Sequence, residues 1–121
     1  MIAALTEMVD DAPVKGAEVL TGGQRLGNIG YFFKSTVLTN VPGDALIMRE
    51  EPFGPIAILN TVASLDEAIA QANSVEYGLA GYAFTNRVDF AARLADDIEV
   101  GNFSINTLEA SMPETLFGGE K

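Results

Sequence analysis

I-A-I-L-N-T-V-A-S-L-D-E-A-I-A-Q-A-N-S-V-E-Y-G-L-A-G-Y-A-F-T-N-R-V-D-F-A-A-R-L-A-D-D-I-E-V-G-N-F-S-I-N (Ile56 to Asn106) carries the fold in its alternation of patterns. Ile56 to Val62 reads as a strand of the buried type. Ser64-Leu65-Asp66-Glu67 then forms a capping box, with Ser64 as N-cap and Glu67 three residues on. Leu65, Ala68, Ile69 and Ala72 follow at i, i+3, i+4 and i+7, one apolar stripe of a helix that Gly78 is expected to close. Ala80 to Phe84 reads as a second strand. Asn86 is placed to cap a second helix through Ile98, with Val88, Ala91, Leu94, Ala95 and Ile98 turned inward. Gly101 separates that helix from a third strand, Phe103 to Asn106. Strand, helix, strand, helix, strand with short connections predicts an α/β fold: a βαβαβ unit in a mostly parallel sheet.

Upstream, Ile2, Leu5, Met8 and Val9 sit at helical spacing, so Met1 to Lys15 reads as an amphipathic helix that Pro13 and Gly16 bring to an end. Ala17 to Leu20 is short and apolar, and Gly22 to Gly27 is a hairpin or connector. That segment is not G-x-G-x-x-G and opens no helix, so it fails as a dinucleotide fingerprint. Tyr31 to Thr39 is rich in β-branched and aromatic residues and reads as a strand. Val41-Pro42-Gly43-Asp44 is a turn, and Ala45 to Arg49 a helical turn. Parallel strands need cover on both faces. Two helices cover one face of the βαβαβ unit and the opening helix alone is left for the other, so the chain reads as incomplete or reliant on a partner.

The 121 residues fit one domain, and 48% hydrophobic residues with a mean hydropathy of +0.20 argue against disorder. Area scaling expects a folded surface of roughly 6,300 Å² for a chain of this mass. Seven Lys and Arg against seventeen Asp and Glu give a net charge of -10 with no histidine. Such a field repels polyanions and anionic lipid surfaces, so neither nucleic acid nor membrane is expected as a partner. The chain has no Cys and no His, which removes thiolate nucleophiles, imidazole bases, disulfides and the usual zinc ligands; no metal site is expected. No apolar run is long enough for a membrane span and Met1 opens no signal segment, so a cytoplasmic setting is the expectation.

Two segments invite a functional reading. Glu50-Glu51-Pro52-Phe53-Gly54-Pro55 is stiffened by two prolines, and such a loop can hold a carboxylate for a ligand diol beside a phenyl wall. Asn106 to Gly119 (N-T-L-E-A-S-M-P-E-T-L-F-G-G) follows the third strand at its carboxyl end, where open parallel sheets place ligands. Glu109 and Glu114 both lie in it, but the sequence does not say that they converge.

In order along the chain, K-G-A-E-V-L-T-G-G (Lys15 to Gly23), G-Y-F-F (Gly30 to Phe33), T-V-L (Thr36 to Leu38) and I-M-R-E-E-P-F-G-P (Ile47 to Pro55) are followed by four further motifs. These are L-D-E-A-I-A-Q-A-N (Leu65 to Asn73), E-Y-G-L-A (Glu76 to Ala80), I-N-T (Ile105 to Thr107) and F-G-G (Phe117 to Gly119). Together they resemble the carboxyl-terminal half of the aldehyde dehydrogenase catalytic domain. The combination of E-x-F-G-P, E-Y-G-L and F-G-G is the specific part. Ser35 and Leu116 stand where the family commonly has proline, and Pro13 interrupts the opening helix.

The resemblance implies oxidation of an aldehyde to an acid with NAD or NADP, by a cysteine nucleophile and a glutamate-activated water. It assigns Glu51 to the hydroxyls of the nicotinamide ribose and Phe53 to the side of that ribose and ring. It assigns Glu109, Ala110, Ser111 and Phe117 to the wall of the aldehyde tunnel. The nucleophile, the base and the dinucleotide-binding domain belong to upstream segments in the family. Residues 1–121 are therefore expected to be a partial catalytic domain with no catalytic residue of its own. The expected partners are a small-molecule aldehyde, for which the polar E-A-S-M-P-E-T loop suggests a semialdehyde or other polar substrate, the remainder of the parent enzyme, and further copies in a homo-oligomer. The competing reading is a non-catalytic, stand-alone domain that dimerises or binds a partner.

Overall fold

The computed structural model describes residues 1–109 and 111–120, and the chain divides into two compact units, Met1–Thr61 and Val62–Lys121. The first unit opens with helix α1 (Ile2–Val14). Pro13 occupies its last turn, the helix stops one residue later, and Gly16 follows in the left-handed region at φ 110°. Strands β1 (Glu18–Thr21), β2 (Thr36–Thr39) and β3 (Ile56–Leu59) form a sheet in the order β1-β2-β3. β1 runs antiparallel to β2, whereas β3 runs parallel to it with Thr36 opposite Ile56 and Thr39 opposite Leu59.

The strand expected from Tyr31 is shorter than its composition suggests. Leu26 donates to the Phe32 carbonyl at 2.9 Å and Lys34 to that of Gln24 at 3.0 Å, so residues 31–34 are committed to a tight loop rather than to the sheet. Side-chain type favoured extension; the pairing partner decided where the sheet begins. Gly22 turns the chain at φ 76°, and a β-carbon there would collide with the Ser35 carbonyl and the Thr36 hydroxyl. The buried Thr36 hydroxyl is itself satisfied, accepting from the Gly23 amide and donating to the Lys34 carbonyl, each at 2.8 Å.

The core of this unit is Met8 and Ala12 of α1 with Ala17, Leu38, Val41, Ala45 and Ile47. Ala45 to Arg49 makes the expected helical turn, with a short 3-10 segment at Leu46–Met48. The Asp11 carboxylate caps it by accepting from the Leu46 amide at 2.8 Å.

In the second unit, α2 (Leu65–Ala72), β4 (Ala80–Ala83), α3 (Val88–Asp97) and β5 (Asn102–Ile105) follow in order. β4 and β5 pair in parallel in a two-stranded sheet of their own, from Ala80 opposite Asn102 to Ala83 opposite Ile105. The capping box forms: the Ser64 hydroxyl accepts from the Glu67 amide at 3.2 Å, and the Glu67 carboxylate reaches back to the Ala63 amide at 2.8 Å. α2 ends at Asn73 rather than near Gly78, because the Asn73 side chain is drawn to the end of α3. The N-cap of α3 is Arg87, not Asn86, and the Thr85 hydroxyl accepts the Arg87 amide there. Its apolar face is less covered than expected. Ala91, Leu94 and Ile98 are half-buried, Ala95 is exposed, and Val88 is 83% exposed.

Candidate functional site

Glu51 and Phe53 follow the 3-10 turn on a loop whose backbone is braced from within. Gly54 donates to the Pro52 carbonyl and Ile56 to that of Gly54, while the Pro55 carbonyl accepts from Thr36 of β2, all at 2.8 Å. Two prolines and two short-range bonds leave this loop few alternative conformations. The structure brings Glu51 and Phe53 to one recess of about 110 Å³, walled by Met1, Ala4, Leu5 and Met8 of the first helical turns. The Phe53 ring is 72% exposed and the Glu51 carboxylate is exposed beside it.

The bracing continues behind the loop. Asp11 holds the Leu46 amide and pairs with Lys15 at 3.1 Å, and the Lys15 ammonium reaches the Asp44 carbonyl at 2.7 Å. The Leu46 amide above all keeps the Asp11 carboxyl below the ordinary aspartate range; desolvation opposes it, and the Lys15 ammonium adds to the lowering. Asp11 is not among the residues that the sequence pattern marks. Its i, i+4 spacing to Lys15 was visible, but its reach to Leu46 was not.

In the second unit, Glu109, Ser111 and Phe117 all lie on the loop that leaves β5, and all three are exposed. Ala110 lies outside the described residues. Asn106 starts the loop in the left-handed region at φ 59°. Its side chain accepts from the Thr85 amide at 2.9 Å and donates to the Thr85 carbonyl at 3.0 Å, which ties the loop's origin to the end of β4. Ser104 donates to the Glu109 carbonyl at 3.0 Å, and Thr107 accepts the Glu109 amide at 3.2 Å. The Glu109 and Glu114 side chains remain solvated acids, and among the described residues no group of three or more Asp and Glu is arranged to hold a metal ion. No helix among them is long and apolar enough to cross a membrane.

The family model of the aldehyde dehydrogenases matches residues 2–121. The chain belongs to the aldehyde dehydrogenase family. The 4-(hydroxymethyl)benzenesulfonate dehydrogenase TsaD1 of Comamonas testosteroni is 41% identical over 119 residues, which are 98% of this chain and 25% of that protein. A succinate-semialdehyde dehydrogenase [NADP(+)] of Mycobacterium avium is 41% identical over 117 residues, 97% of this chain and 25% of the relative. The solved NAD-dependent aldehyde dehydrogenase of Sinorhizobium meliloti superposes with a TM-score of 0.87 at 34% identity, covering 98% of this chain and 24% of its own. This aldehyde dehydrogenase chain thus spans about a quarter of the length of the relatives it matches, and the α/β class expected from its strand and helix order is that of the family.

Proposed function

We propose that residues 1–121 form part of the catalytic domain of an NAD(P)-dependent aldehyde dehydrogenase and supply two of its surfaces: a clamp on the nicotinamide ribose and one wall of the aldehyde tunnel. The observation that carries the first is the shared recess of Glu51 and Phe53 on a doubly braced loop. A carboxylate is an acceptor only and a ribose diol offers two donors, so Glu51 fits those hydroxyls without rearrangement. The exposed Phe53 ring offers a flat apolar face for the same sugar and its base. When bound, the dinucleotide supplies the hydride acceptor. Glu51 and Phe53 bind and orient it; neither exchanges a proton in the reaction.

Glu109, Ala110, Ser111 and Phe117 are the proposed wall residues. The mixture of acid, hydroxyl and ring suits a polar aldehyde, and the semialdehyde dehydrogenase among the relatives supports a semialdehyde. With no Cys in the chain, the acyl group must be carried by a residue elsewhere in the enzyme. A homo-oligomer in the cytoplasm belongs to the same reading.

The test is Glu51→Ala in the complete dehydrogenase that carries these residues. The KM for the dinucleotide is expected to rise about tenfold while that for the aldehyde holds, the mark of lost ligand binding at one end of the site. An unchanged KM and kcat for the dinucleotide overturns the clamp. The 121-residue chain mixed with dinucleotide and aldehyde is expected to give no reduced cofactor, and turnover there overturns the division of labour.

A further inference from the structure

The F-G-G end of the second unit closes back on the start of β5. The Gly78 carbonyl accepts two amides, from Gly101 at 2.9 Å and from Glu120 at 3.1 Å. Next to it the Gly118 carbonyl lies against Gly101 so tightly that a β-carbon on residue 101 would overlap it. A β-carbon on Gly78 would overlap the Glu99 carbonyl in the same way. Gly78 and Gly101 both lack the positive φ that otherwise calls for glycine, so the demand is for space between backbones. Gly118 differs, because a β-carbon there meets nothing within 4 Å.

The segment from Asn106 to Gly118 is therefore fastened at both ends. Asn106 holds Thr85 at its origin, Ser104 holds the Glu109 carbonyl along its first half, and the Gly78 carbonyl takes the Glu120 amide at its return. Within it, Thr115 closes a turn on the Met112 carbonyl at 3.1 Å.

We infer that Gly78 and Gly101 are positioning residues: Gly78 of E-Y-G-L takes the amide that follows F-G-G, Gly101 makes room for the Gly118 carbonyl, and together they set where the loop bearing Glu109 and Phe117 stands. This rests on the reading of that loop as a substrate wall. Fastening a loop at its two ends leaves its side chains adjustable but fixes their distance from the sheet, and a displacement of about 1 Å in such a wall can cost up to two orders of magnitude in turnover of a poorly held substrate. The clamp acts through the loop and touches no substrate itself.

Three variants test it. Gly101→Ala removes the space, Glu120→Pro removes the amide that Gly78 accepts and sets a ring carbon against that carbonyl, and Gly118→Ala is the matched control. In the 121-residue chain, a glutamate-specific protease is expected to cut after Glu114 about tenfold faster in the first two variants and at the parent rate in the third. In the complete dehydrogenase, Gly101→Ala and Glu120→Pro are expected to raise the aldehyde KM about tenfold, with the dinucleotide KM within about twofold of the parent. Should Gly101→Ala fail to fold, Glu120→Pro carries the test, since it acts only at the loop's return and leaves the close approach of Gly101 and Gly118 untouched. Unchanged cleavage in Glu120→Pro overturns the clamp and leaves the tunnel wall standing. Faster cleavage with an unchanged aldehyde KM overturns the positioning role and takes the tunnel-wall reading with it. A Gly118→Ala variant as damaged as Gly101→Ala overturns the argument from space.

Discussion

The two units close a parallel strand pair with the same device and differ in what they bury. In the first, Asn60 stands one residue beyond β3 and its side chain accepts from the Val41 amide at 2.9 Å and donates to the Val41 carbonyl at 2.8 Å. In the second, Asn106 stands one residue beyond β5 and makes the same pair of bonds to Thr85. Val41 and Thr85 occupy equivalent places, each two residues beyond the partner strand. An asparagine amide imitates a peptide group, so it extends each ladder by one rung where the strand itself turns away.

Burial separates them. α1 contributes the buried Leu5, Met8, Val9 and Ala12 to the first unit, while α3 has no buried residue and Ile69 of α2, at 9% exposure, is the one buried hydrophobic that the second unit offers among the described residues. Pairing of strands is thus set by backbone and local side-chain bonds in both units, whereas core formation depends on apolar cover that the first unit supplies from its own helix.

The largest effect should come from breaking that cover. Leu38 is 0% exposed, at the centre of the first core, and Leu38→Ala is expected to cost about 3 kcal/mol. Ile69→Ala, in the less covered unit, is expected to cost about 2 kcal/mol or less, since part of its surface already meets water. Amide exchange followed by NMR reads the two units separately. Equal losses at the two sites would show that the contrast in burial has no energetic counterpart.

The asparagines come next. Asn60→Ala leaves a half-buried backbone N–H and C=O of Val41 without their partner and is expected to cost about 1–2 kcal/mol. Asn106→Ala exposes the same groups of Thr85 to water, which replaces the lost bonds, so about half of that cost is expected. Urea denaturation of the two variants compares them directly, and an Asn106 variant that loses more than the Asn60 variant would reverse the ranking by burial.

Ser64→Ala probes the local level alone. Loss of the cap on α2 is expected to cost about 1 kcal/mol, with Ser64→Asp restoring most of it. That helix start was fully legible in sequence, because a capping box needs only residues three apart. So were the turn at Val41 to Asp44 and the helical turn behind it. Asn60, Asn73 and Asn106 were not, since each bonds to backbone between 19 and 26 residues away and no local pattern reports that distance. Gly78 is deceptive for the same reason: in sequence it looks like a helix stop, yet its carbonyl serves chain segments at Gly101 and Glu120. For the candidate site, motif order named Glu51 and Phe53, but their seat against Met1, Leu5 and Met8 of α1 required the fold.

The smallest effect expected is a pH dependence confined to the first unit. Asp11 has its carboxyl held below the ordinary range by the Leu46 amide and Lys15. A group whose folded value is depressed contributes stability that is fully present above the unfolded value, about pH 3.9, and fades as pH falls through the folded one. Acidification below about pH 4 should therefore loosen the contact between α1 and the 3-10 turn that leads into the Glu51 loop. Asp11→Asn keeps an oxygen to accept the Leu46 amide but removes the charge, so the acid-side decline in protection of the Leu46 amide should flatten while its neutral-pH protection falls slightly. The second unit lacks this link, but it contains Asp89, which the paired Arg87 guanidinium likewise holds low. The exchange of amides in β4 and β5 supplies the internal reference. A Leu46 amide whose acid response is the same in the parent and Asp11→Asn chains would assign that response to other carboxylates and remove Asp11 from the support of the loop.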